Sequence, residues 1–262
     1  GLLYGINSLA QLLMNSKIEN KTSIPSLSIT DGPRFKYRGI HFDISRNFYG
    51  ADKIKQLLDY MFYFKLNKFH LNITDDEGWR IEIPGLPELT EVGSKRGFTV
   101  DESQNLNPAY GSGHDVNKLP GSGYLKREEF IEIIKYANER NIEVIPEINF
   151  PAHSRAAIKS MLTRYNRFME IGDVESAEEY LLTDFEDQSE YISAQRFNDN
   201  VICVCRESSV RFFEKLVSEI ENMFLEANSV IKTFHVGGDE LPYGAWKKSP
   251  ICNDFLSSNS EV

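Results

Sequence analysis

The sequence predicts a parallel α/β fold of the β/α-barrel kind, and three observations lead there. Strand-like and helix-like segments alternate four times along the chain. No G-x-G-x-x-G or G-x-x-x-x-G-K turn follows any strand, which sets aside a dinucleotide-binding or P-loop fold. Chemistry-bearing residues fall just past each strand, at the end where a β/α barrel builds its active site. Four strands are half of an eight-stranded barrel, so the chain is expected to supply about the first four βα units of a longer protein.

The elements follow in order. Leu2, Leu3, Ile6, Leu9, Leu12 and Leu13 trace a helical stripe over the first 13 residues. No basic segment precedes it and no small-residue cleavage site follows it, so it does not read as a signal peptide, and the chain is expected to begin inside a domain. Residues 15–36, with Pro25 and Pro33, read as a polar linker holding one short strand, Ser26–Thr30. Tyr37–Ile44 is strand-like and ends near Arg46. Lys53–Lys65 places Ile54, Leu57, Leu58, Met61 and Phe62 on one helical face. Lys68–Thr74 alternates as a strand and ends at Asp75–Asp76. A polar stretch over 76–124 precedes the amphipathic helix Arg127–Arg140, which opens on acidic residues and closes on a basic one. Glu143–Ile148 is a strand leading to Asn149 and His153. A second excursion, 154–206, comes before the helix Val210–Ala227. The strand Thr233–Gly237 runs into Asp239–Glu240, and a last helix-like piece spans about 243–257.

Composition narrows the function classes. Among 262 residues, 39 acidic side chains outnumber 29 basic ones, a formal charge of −10. That balance lacks the basic footprint nucleic acid needs, and an anionic membrane surface would repel it. No apolar run approaches the roughly 20 residues of a membrane helix. Three cysteines do not make a disulfide scaffold; Cys203, Cys205 and Cys252 are open to a loop disulfide or to free thiols, and an odd number cannot pair fully within the chain.

The candidate chemistry lies at the strand ends. In HVGGDE the glycines allow a sharp turn and leave room for a ligand, and the adjacent carboxylates of Asp239 and Glu240 repel, which favours a proton on one of them. A carboxylic acid is what a glycosidase places on its leaving-group oxygen. Asp75 can orient a histidine, and His153 is the partner the next strand end offers; an Asp–His–Glu chain would tune Glu240. Arg46 is suited to clamping sugar hydroxyls or to pairing with one of these acids. Trp79 is open to two readings, a stacking platform for a sugar or a core anchor. His153, His235, Asp75, Asp239 and Glu240 are also metal-ligand types, but no H-E-x-x-H spacing supports a metal, and no cofactor is expected.

These residues stand in runs that closely resemble the catalytic domain of family 20 glycoside hydrolases, the β-N-acetylhexosaminidases, and most of all their bacterial chitobiase branch. The runs are YRGIHFDISRNF (37–48), LNKFHLNITDDEGWRIEIPGLPELTEVGSKRG (66–97), IEVIPEINFPAHSRA (142–156) and IKTFHVGGDE (231–240). The resemblance implies that residues 1–30 are the end of a preceding α+β domain with its linker, and that 31–262 are the N-terminal half of a catalytic (β/α)8 barrel. It implies a retaining, substrate-assisted mechanism, in which the 2-acetamido carbonyl of the substrate attacks C1 and no enzyme nucleophile is used. Glu240 matches the general acid/base and Asp239 the residue that orients the acetamido group. Asp75 and His153 match the pair supporting the acid/base, and Arg46 the arginine that holds the non-reducing sugar. The implied partner is an N-acetylhexosamine-containing oligosaccharide, with the other half of the barrel completing the site, in an extracellular, periplasmic or lysosome-like compartment. Two departures stand out: Asn149 where relatives usually carry Asp, and Asn72 where they often carry a second His. They leave open an alternative, a non-catalytic homologue serving as a structural or glycan-binding module.

Overall fold

The computed structural model describes every residue except 21–22, 25, 119 and 259–262, so the part of the linker expectation resting on Pro25 lies outside the described residues. Twelve elements follow one another: α1 (Leu2–Ile18), β1 (Gly39–Asp43), α2 (Ala51–Tyr63), β2 (Lys68–Asp75), β3 (Gly78–Trp79), α3 (Glu88–Glu91), α4 (Arg127–Glu139), β4 (Glu143–Ile148), α5 (Arg155–Glu170), α6 (Val174–Glu178), α7 (Glu207–Glu226) and α8 (Pro250–Ser258). The architecture is mixed α/β around an open sheet. β2 lies at its centre, parallel to β1 on one side and to β4 on the other.

Alternation along the strands sorts the residues into two faces. Phe69, Leu71 and Ile73 of β2, with Val144 and Ile148 of β4, are buried against the helices. There they meet Ile54, Leu58 and Met61 of α2, Phe130, Ile133 and Ile134 of α4, and Phe212, Leu216 and Ile220 of α7, one continuous apolar core. A fully buried aliphatic or aromatic side chain contributes about 1.5–3 kcal/mol, so this layer is the main source of stability. The opposite face carries polar residues: His41 and Asp43, then His70 and Asn72, then Glu147 and Asn149. β2, covered on both sides, is buried over nearly its whole length, whereas β1 has a strand neighbour on one side only and stays half-exposed.

Five expectations need correction. Ser26–Thr30 is no strand: its residues are exposed and form no ladder among the described residues, and a strand needs a ladder partner. Residues 15–18 belong to α1 rather than to the linker, because α1 docks on the end of α2, with Asn7 Nδ2 donating to the Phe62 carbonyl and Gln11 Nε2 to that of Tyr63 at 2.7 Å. The fourth strand is reduced to one bridge, Glu147 with His235. Its backbone still continues the sheet, through His235 N–H to Pro146 O at 2.9 Å, Ile148 N–H to His235 O at 3.1 Å and Phe150 N–H to Val236 O at 3.0 Å. The left-handed glycines Gly237 and Gly238 then end it. The excursion 154–206 is not all loop: it holds α5, a 16-residue helix against β2 and β3. The sheet is also not purely parallel, since β3 folds back antiparallel on β2, pairing Thr74 with Trp79 and Asp75 with Gly78.

Cys205 and Cys252 form a disulfide, which ties the excursion to α8, and Cys203 is a buried free thiol. No described helix is long and apolar enough to cross a membrane.

Candidate active site

The site is assembled from four strand ends on the polar face. At the end of β2 the chain reverses into β3, and the tip of that hairpin is Asp75, Asp76 and Glu77, all buried. The reversal is held from beneath by Arg80. Its guanidinium is wholly buried and donates to the carbonyls of Ser45, Ser94, Gly121 and Gly123 at 2.8–3.0 Å. Burial, with Arg96 nearby, lowers its pKa to about 9. One arginine therefore fixes both the loop 76–124 and the backbone just before Arg46. Trp79 beside it is buried, with Nε1 donating to Ile81 O at 2.6 Å and the ring against Phe212, so it is a core anchor and not a sugar platform.

Arg46 projects from the end of β1 into the acids. Nη1 lies 2.8 Å from Asp43 and 2.9 Å from Asp75, and Nε lies 3.4 Å from Glu77. Burial opposes its charge, but these carboxylates prevail and hold its proton more tightly than usual. Glu77 is pushed up to about 7, first by burial and then by the negative charges of Asp75 and Asp76.

His153 is the hub. It follows β4 in a left-handed conformation, φ 53°, that aims the ring between the two halves of the site. Nδ1 sits 3.2 Å from Asp75 Oδ1 and 3.3 Å from Asp76 Oδ2, an ion-pair contact with both carboxylates but an aligned hydrogen bond with neither. Nε2 sits 3.3 Å from Glu240 Oε2 and 3.9 Å from Asp239 Oδ2. Asp75 first and then Asp76, both against Nδ1, outweigh burial and raise the imidazole to about 10, so it is an imidazolium at neutral pH. Burial raises the Asp75 carboxyl, and His153 and Arg46 pull it back. Asp76 is locked by its neighbours: it accepts the Arg155 N–H at the start of α5 at 3.1 Å and Asn200 Nδ2 at 3.0 Å.

The acid pair lies on the turn after the fourth strand. Gly237 (φ 66°) has Asn149 Oδ1 2.0 Å from where a Cβ would stand, so only glycine fits. Glu240 is left-handed at φ 51° and its carboxylate, about half-exposed, accepts from Gln195 Nε2 at 2.8 Å. Asp239 is more exposed still. The two departures lie side by side beneath: Asn149 Nδ2 donates to Asn72 Oδ1 at 3.2 Å, to the Thr74 carbonyl at 2.7 Å and to Asp75 Oδ2 at 3.1 Å. An amide at 149 thus gives Asp75 a donor where a carboxylate would add a like charge.

All five expected site residues, Arg46, Asp75, His153, Asp239 and Glu240, converge. His235 does not join them and belongs to a separate group on Glu147. Sequence reasoning missed Glu77, although it adjoins Asp75–Asp76 in one acidic run, and Gln195, whose place in a long excursion carries no signal. Tyr110, on the loop 76–124, is close enough to Glu77, Arg46, Asp75 and Asp43 to feel their charges.

The comparisons with known proteins give the family. The catalytic-domain model of glycosyl hydrolase family 20 matches residues 35–261, and the chain belongs to that family. It is 46% identical over 263 residues to a β-hexosaminidase of Vibrio vulnificus, and 49% identical over 241 residues to an N,N'-diacetylchitobiase of Vibrio harveyi. Those alignments cover 100% and 92% of this chain but 30% and 27% of the relatives, so the chain spans under a third of their length. Among solved structures, the family 20 exo-β-N-acetylglucosaminidase of Vibrio harveyi with N-acetylglucosamine superposes with a TM-score of 0.72 at 38% identity, over 87% of this chain and 31% of that one.

Proposed function

We propose that residues 31–262 are the N-terminal half of a (β/α)8 catalytic barrel, preceded over 1–30 by the end of an α+β domain and its linker. The protein they belong to is an exo-acting β-N-acetylhexosaminidase that removes terminal β-linked N-acetylglucosamine or N-acetylgalactosamine from chitooligosaccharides or glycans. The observation that carries this reading is the continuous chain from buried Asp75 and Asp76 through the His153 imidazolium to Glu240, 3.3 Å away.

The chemistry follows from that chain. The substrate's acetamido oxygen attacks C1 while Glu240 gives its proton to the departing glycosidic oxygen. The positive charge of His153 stabilises the carboxylate this leaves, and the buried aspartates keep His153 charged. Asp239, next to Glu240 in the chain, orients the acetamido N–H and offsets the charge that develops on it. Glu240 then takes a proton from the water that opens the cyclic intermediate, and configuration at C1 is retained. Arg46, fixed by Asp43 and Asp75, presents its remaining donors to sugar hydroxyls. The Cys205–Cys252 disulfide supports an extracellular, periplasmic or lysosome-like compartment, where such bonds persist.

The test is hydrolysis of N,N'-diacetylchitobiose by the full-length protein and its Glu240→Gln variant. General acid catalysis contributes about 10²–10⁴-fold, so kcat/KM should fall by that factor with the thermal melting curve unchanged. A folded wild type without hydrolysis, or a variant as fast as wild type, would favour a glycan-binding or structural relative instead.

A further inference from the structure

Below the acid pair, on the same face of the sheet, three histidines from three strands converge on one buried carboxylate. Glu147 of β4 has Oε2 2.7 Å from His70 Nε2 of β2 and 3.3 Å from His41 Nε2 of β1. Its other oxygen is 3.2 Å from His235 Nδ1 on the fourth strand. The strand register builds this: His41 is opposite His70, and Glu147 is bridged to His235. The imidazoles lie close but tilted, with ring centres 4.4 Å apart for His41–His70 and 4.6 Å apart for His70–His235.

We propose that His41, His70 and Glu147 form a site for a divalent transition-metal ion of the Zn²⁺ class, with His235 on the carboxylate's second oxygen. Three features support a cation rather than a plain hydrogen-bonded cluster. The donor atoms of His41, His70 and Glu147 lie within 4.8 Å of one another, and among the described residues only one other such group occurs, Asp75–Asp76–His153. Glu147 Oε2 and His70 Nε2 are both buried, yet neither makes an aligned hydrogen bond, although Glu147 is only 6% exposed. Buried polar atoms so placed are normally satisfied. His235 Nδ1 accepts the Gly237 N–H at 3.1 Å, so in that state it carries no proton to offer Glu147. Two imidazole nitrogens and a carboxylate oxygen are the donor set Zn²⁺ prefers, leaving a fourth position for water. Bonds of about 2.0–2.1 Å to a tetrahedral ion need donors roughly 3.3 Å apart. The His41–Glu147 spacing of 3.3 Å meets this, and the His70 ring, now 2.7 Å from Glu147, has to move away by roughly half an ångström. An ion there would cross-link β1, β2 and β4 directly beneath the turn that carries Asp239 and Glu240.

The test is metal uptake by the full-length protein after chelation and dialysis, with Co²⁺ alone and then Zn²⁺ as probes. The expected result is one equivalent of Co²⁺ with the visible absorption of a four-coordinate site, displaced by Zn²⁺. His41→Ala, on a half-exposed side chain, should weaken uptake beyond the ~10–100-fold that losing an outer partner of a metal site costs. His153→Gln should leave uptake unchanged. No Co²⁺ spectrum in folded wild type, uptake unaffected by His41→Ala, or uptake lost in His153→Gln would each overturn the proposal. The readout is binding, so it is independent of whether the protein hydrolyses a glycan.

Discussion

Two strand ends carry acidic pairs, and they are built in opposite ways. Asp75–Asp76 at the end of β2 is buried and held on every side: Arg46, His153, Asn149, Asn200 and the start of α5 all touch it. Asp239–Glu240 after the fourth strand stands in the open, at 69% and 47% side-chain exposure, on a turn of two left-handed glycines. The buried pair holds fixed charge beside His153, and in the proposed mechanism the exposed pair is the one that meets the substrate. Preorganisation resides in the first and access in the second, and one imidazole connects them.

The harshest way to break this contrast is Asp75→Ala. It strips His153 and Arg46 of a buried partner, and uncompensated buried charge costs about 3–5 kcal/mol. Chemical denaturation of the full-length protein should show that loss, with kcat falling alongside. A stability equal to wild type would mean the buried pair is not the anchor.

A pH series sharpens the comparison next. The imidazole of His153 is raised to about 10 from an ordinary 6.5. The stability it contributes is therefore complete below about pH 6.5 and is lost as pH rises through about 10. His153→Gln should flatten the decline of unfolding free energy across that window by ~2–4 kcal/mol. Wild type and variant curves running parallel there would show that the imidazole is not charged by its aspartates.

The smallest effect belongs to the exposed end. Gln195→Ala removes one half-solvated hydrogen bond to Glu240, an interaction of about 0.5–1.5 kcal/mol, so kcat/KM should drop by roughly tenfold or less and stability hardly at all. A loss as large as that of Asp75→Ala would place the excursion among the anchoring elements.

Much of the fold was legible because local pattern and burial agree. The 3.6-residue stripe of Lys53–Lys65 became α2 with Ile54, Leu58 and Met61 inward, and Glu143–Ile148 became β4 to the residue. Ser26–Thr30 has the same kind of alternation and no strand, because a ladder needs a partner that periodicity cannot supply. The acids and His153 were legible from their positions after strands. Arg80 was not singled out, since an arginine beside a tryptophan in a polar stretch resembles any surface cation until four carbonyls are folded around it. The same holds for His41, His70 and Glu147, spread over about a hundred residues and joined only by register.

By itself the sequence determined the strand–helix rhythm, the inward apolar faces, the glycine turn before Asp239–Glu240 and which candidate residues follow each strand, because these depend on side chains a few positions apart. The tertiary structure alone decided that His153 sits against two buried aspartates, that Trp79 is core, that Glu77 and Gln195 lie among the candidate site residues, and that His235 turns away to Glu147. Those outcomes depend on distances between strands and on exclusion of water, which exist only once the sheet has paired and the helices have covered it.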